Sequence, residues 1–210
     1  MGGRGSSSSG RYGGGGISAG DILSTTSFVS ERGNYQQTVD EALSVFGDVK
    51  DQYGFIIDDI VMAQIKPQKG GDAIAYYDGS NIGWNEKYMD KKTLDKSYAD
   101  CVKSKFHPSN GNKTAVQAVA SHELGHALSA EAGKRMGGLD IDQASTRIVN
   151  EARKQVGSKG VVQMAKKIST YATHSNAEAI AEAFCDVYCN GSKAHKESKA
   201  IVNVMNGYLK

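Results

Sequence analysis

The residues best suited to chemistry are His122, Glu123 and His126, in the run Ser121-His122-Glu123-Leu124-Gly125-His126. The run sits inside an alanine-rich apolar stretch, 114–136, that reads as one helix. Histidines four residues apart on a helix lie about 40° apart around its axis, so both rings leave the same face. Glu123 falls about 60° further round from His126, beside the imidazoles but outside the pair. This is the arrangement a zinc hydrolase needs: two neutral nitrogen ligands, and a carboxylate base that takes a proton from the water the metal activates. The competing reading is a buried helix whose two histidines are satisfied by hydrogen bonds alone.

Two histidines do not complete a catalytic zinc site, which takes three protein ligands and leaves one position open. The candidates are His107, His174, His195, Glu178, Glu182 and Asp186. The last three recur every four residues, so they form one acidic stripe on a helix predicted over 176–189. Ile180, Ala183, Phe184 and Val187 occupy the other side. Either the stripe is a solvated face, or it meets a zinc–histidine cluster. In the second case one acid binds the ion, and the next accepts a hydrogen bond from the far nitrogen of a ligand histidine. The alternating alanines 177, 179, 181 and 183 suit close helix packing and so favour the second. Periodicity does not say which acid takes which part. Cys185 and Cys189 are also four apart and, with His195, suggest a second metal site; buried helix positions are the simpler account.

His122-Glu123-Leu124-Gly125-His126 is followed, after a long gap, by Tyr171-Ala172-Thr173-His174-Ser175-Asn176-Ala177-Glu178-Ala179-Ile180-Ala181-Glu182-Ala183-Phe184. The combination resembles the gluzincin metallopeptidases of the anthrax lethal factor catalytic-domain type, and the related metallopeptidases found in phage head-protein genes. The resemblance runs from about residue 111 to the end of the chain, and more loosely from Phe55. It implies that Glu178 is the third zinc ligand, that Tyr171 supplies a hydroxyl at the active site, and that Glu182 supports a ligand histidine. It implies a zincin-like fold, one Zn²⁺ per chain, a protein or peptide substrate, and a phage setting. Two departures bear on substrate preference. Ala179-Ile180 stands where the family often carries aromatics, and the large substrate-recruiting domains of lethal factor have no counterpart. The alternative is a non-catalytic structural or virion protein that zinc stabilises. A closed site of that kind needs a fourth protein ligand, and it has no use for Glu123.

The elements that must position these residues read as an α+β chain, mainly helical, with a small antiparallel sheet ahead of the metal helix. Residues 1–16 are glycine- and serine-rich and read as a flexible tail; 17–210 read as the metallopeptidase domain. A helix is expected over 34–53, with Tyr35, Val39, Leu43, Phe46 and Val49 or Tyr53 inward and a capping box from Asn34 to Gln37. A strand is expected over 55–65 and a turn over 67–71. Two short strands, 72–77 and 82–85, make a hairpin across Asp78-Gly79-Ser80-Asn81. Its Tyr76, Tyr77 and Trp84 read as sheet packing, with one edge open to an extended peptide. Further helices are expected over 93–106, 140–156, 159–168, 176–189 and 192–209. His107 and His174 fall in loops.

The chain has 25 basic and 23 acidic residues, a balance that argues against nucleic acid and against an anionic membrane. No apolar run approaches the roughly 18 residues of a membrane span, and no hydrophobic signal segment is visible. Three cysteines do not make a disulfide framework. The expected setting is therefore the cytoplasm of a bacterial host, or a virion.

Overall fold

The computed structural model describes residues 35–53, 73–77 and 82–210. The expected tail, the strand over 55–65, the turn over 67–71 and the cap at Asn34 lie outside them. The chain divides into two compact units between Asp95 and Lys96. Among the described residues it is mainly helical, with seven helices and a two-stranded antiparallel sheet.

The first unit holds α1 (Tyr35–Tyr53), β1 (Ala75–Tyr77), β2 (Ile82–Trp84) and a 3-10 turn at Glu86–Tyr88. Ala75 pairs with Trp84 and Tyr77 with Ile82, the hairpin the sequence suggests. Asn85 extends the pairing by donating its backbone N–H to Ile74 at 2.9 Å. The buried stripe of α1 keeps Val39 and Val49 from the expected one and departs from it between them. Thr38, Val39, Ala42, Val45 and Val49 are buried, whereas Leu43 and Phe46 are half-buried. Thr38 shows why: its hydroxyl donates to the Met89 carbonyl at 2.8 Å, so a polar residue anchors the inner face. Trp84 and Ile82 are almost wholly buried. Helix α2 (Lys91–Lys103) starts on Asp90, whose carboxylate accepts from the Thr93 N–H at 2.8 Å, and it carries the division between the units.

The second unit is a helical cluster: α3 (Ala115–Arg135), α4 (Ile141–Gln155), the short α5 (Val161–Ala165), α6 (Asn176–Asn190) and α7 (Lys196–Leu209). A capping box between Thr114 and Gln117 starts α3. Gly137 and Gly138 end it at φ 97° and 86°, where a Cβ is strained. Helix α6 is the hub, packed by α3, α4 and α7. Its alanines 179, 181 and 183 are fully buried.

One close approach sets the metal helix against this hub. A Cβ placed on Gly125 lands 2.7 Å from the Ala181 Cα and 3.2 Å from the Phe184 Cβ. Backbone blocks any side chain there. Gly125→Val is expected to cost about 1–3 kcal/mol or more by forcing α3 and α6 apart. A thermal melt reads the loss, and a metal titration reads the separation of Glu178 from the two histidines.

Candidate metal centre

Three ligand atoms converge where α3 crosses α6. Glu178 Oε2 lies 3.2 Å from His122 Nε2 and 3.5 Å from His126 Nε2. The three donors lie within 4.8 Å of one another, and together His122, His126 and Glu178 could hold a metal ion. The imidazole rings meet nearly edge to face, their centroids 5.0 Å apart. Local chemistry places each group. The histidines share a helix face by spacing. Glu178 is presented in the first turn of α6 by the Ser175 cap, whose hydroxyl accepts from the Glu178 N–H at 3.0 Å. The positive end of that helix favours an ionised carboxylate there.

The donor set fits a metal by two observations. Ligands about 2.0–2.1 Å from a tetrahedral ion stand about 3.3 Å apart, which is the spacing the carboxylate keeps from both rings. Glu178 Oε2 is also buried and makes no well-formed hydrogen bond, so its lone pairs are left for an ion. Burial alone raises the Glu178 carboxyl, but the two facing imidazoles override it and hold the group well below the usual carboxylate range.

Glu123 is also buried, and burial pushes its carboxyl up, partly offset by His122 and His126. It belongs to neither the donor group nor an ion pair in the described residues. Tyr171 lies in a 3-10 turn, Tyr171–Thr173, with its ring centroid 5.8 Å from that of His122.

The three acids of the α6 stripe are all buried, so it is not a solvated face. Each has its own partners. Glu182 sits behind His122, with Oε1 2.8 Å from His122 Nδ1. The short separation makes the two an electrostatic pair. Ser169 donates its hydroxyl to Glu182 Oε2 at 2.6 Å, and His107 Nδ1 lies 2.8 Å from Oε1. Burial raises the Glu182 carboxyl, but His107 and His122 bring it down to about 2. Asp186 instead accepts from the His195 backbone N–H at 2.9 Å and from its Nδ1, also at 2.9 Å, tying the start of α7 to α6.

The remaining candidates fall away from the donor group. His174 is exposed, with its ring against Tyr171 at 4.9 Å. Cys185 and Cys189 are buried, and hydrogen bonding to Cys189 together with burial raises the Cys185 thiol. Among the described residues they make no metal group with His195. Sequence reasoning left His107 as a loop histidine and passed over Ser169. Both sit in irregular segments, where no period marks an inward residue. The signal that could have found them is the need of a buried Glu182 for more donors than His122 supplies.

No family model, curated protein or solved structure matches this chain. Among the described residues no helix is long and apolar enough to cross a membrane.

The carboxylates give the metal-free protein a pH signature. With its folded value near 2 and its ordinary value at 4.5, Glu182 adds stability that is fully present above about pH 4.5. That contribution is lost as pH falls through the folded value. Glu178 is depressed as well and adds to the same trend. The melting temperature of the chelated protein is expected to fall steadily below pH 4.5, and Glu182→Gln is expected to flatten the slope. A variant slope equal to that of the wild type contradicts the Glu182 contacts.

Proposed function

We propose that this chain is a zinc-dependent endopeptidase with a zincin-like, gluzincin-type site, in which His122, His126 and Glu178 hold Zn²⁺. One observation carries the reading: a two-histidine, one-carboxylate donor set, with His122 and Glu178 buried and His126 half-buried, and the buried Glu123 beside it. The set leaves a position open for water or substrate, as catalytic zinc sites do and closed structural sites do not. Nitrogen and carboxylate donors in this number suit zinc over the oxygen-loving cations.

Zinc, when bound, supplies a Lewis acid that lowers the pKa of water toward about 7 and polarises a carbonyl. Glu123 accepts the proton of the attacking water and returns it to the leaving amine. The Tyr171 hydroxyl donates to the oxyanion that develops on the scissile carbonyl. Glu182 fixes the His122 tautomer by holding its Nδ1 side, which leaves Nε2 for the ion. The natural setting that agrees with the resemblance is a phage gene product acting on protein.

Tyr171→Phe tests the oxyanion assignment. It removes one oxygen and keeps the ring that packs on Phe106 and His174. It is expected to lower kcat by about 10²-fold or more, with KM nearly unchanged. An unchanged kcat removes Tyr171 from the mechanism.

A further inference from the structure

His107 is placed as part of the metal centre although it is not one of the donors. Its Nδ1 hydrogen-bonds Glu182 Oε1 at 2.8 Å, and the same oxygen lies 2.8 Å from His122 Nδ1. A carboxylate oxygen has two lone pairs, so Oε1 can serve both rings. Ser169 occupies Oε2. Glu182 is fully buried and cannot turn to water for a missing donor.

The ring of His107 is held on several sides. It lies parallel to Tyr98, with centroids 5.6 Å apart and planes within 1°. Its edges meet Tyr171 at 5.3 Å and His122 at 6.1 Å. The backbone is tied down too. Just after α2, Lys105 takes a φ of 59°, which turns the chain back so that the Phe106 N–H reaches the Cys101 carbonyl. The carbonyls of Lys105 and Phe106 then accept from the N–H groups of Thr170 and Tyr171 at 2.9 and 3.0 Å. The segment that carries His107 is thereby laced to the segment that carries Ser169 and Tyr171.

We propose that His107 is a positioning residue: through its Nδ1 bond to Glu182 it fixes the carboxylate that orients His122, and so sets the affinity of the centre for zinc. The proposal rests on the reading of His122, His126 and Glu178 as the zinc ligands. Removing a group of this kind typically costs about 10–100-fold in metal affinity or activity.

The test is a zinc titration of the full chain against a chromophoric chelator, with helicity measured on each sample. His107→Phe keeps the ring on Tyr98 and loses the donor. His107→Asn places an amide N–H near the Nδ1 position, and His107→Gln places it near Nε2. His107→Phe and His107→Gln are expected to bind zinc about tenfold or more weakly than wild type, and His107→Asn within about threefold. Should His107→Phe lose helicity, the Asn and Gln pair decides alone, since both are small and polar and differ in reach. Wild-type affinity in His107→Phe or His107→Gln overturns the proposal and leaves the metal-centre reading standing. Equal weakening in Asn and Gln also overturns it. Wild-type protein that takes up no zinc overturns both.

Discussion

Glu123→Gln is expected to lower turnover by a factor of about 10² to 10⁴ while the protein keeps one zinc ion per chain. The substitution is nearly isosteric, and Glu123 lies outside the donor group, so the ligands have no reason to move. What disappears is the group that accepts and returns the proton. A glutamine amide has no such capacity near neutral pH. The buried position matters here, because solvent does not readily take over the role of the lost base. Metal analysis and steady-state kinetics on the same sample decide the matter. Loss of zinc makes Glu123 a ligand, and unchanged turnover removes it as the base.

Glu178→Ala is expected to weaken zinc binding by a factor of about 10² to 10³ and to abolish activity at limiting metal. Structural sites with four protein ligands bind zinc with about 10–16 kcal/mol in total, so a single ligand accounts for about 2.5–4 kcal/mol. Asp186→Asn serves as the matched control, since it changes an acid of the same stripe two turns away. Asp186 faces His195 and Asn190, so its zinc affinity is expected to match wild type. A titration that ranks Asp186→Asn below Glu178→Ala contradicts the ligand assignment.

The three acids of α6 show how far the sequence carries. That they share a face follows from spacing alone, and the burial of all three agrees with close packing by the surrounding alanines. Which acid meets which partner depends on helices far apart in the chain, and no local period encodes that. The choice of Glu178 came from resemblance, and the geometry brings that residue, with His122 and His126, into one donor group. Helix ends were legible where a cap was written in the chain. Asp140 caps α4 and the glycine pair at 137–138 closes α3, both close to the expected limits. The expected helix over 159–168 shrinks to Val161–Ala165, and the last helix begins at Lys196 after a 3-10 turn at Gly191–Lys193. Short apolar segments have little to hold a longer helix. On the inward face of α1, Val39 and Val49 were legible, but Leu43 and Phe46 were placed there by apolar size, whereas the hydroxyl of Thr38 and the small Ala42 are what fit. His107 and Ser169 escaped because loop residues acquire a role only through the partner that reaches them.

Cleavage of a diverse peptide library by the zinc-loaded protein tests the central claim most directly, run beside Glu123→Gln and a chelated control. The expected result is a set of internal cuts that vanish in both controls and whose flanking residues define the preferred subsites. Cuts that persist in the controls, or no cuts from protein holding one zinc per chain, contradict a zinc endopeptidase at His122, His126 and Glu178.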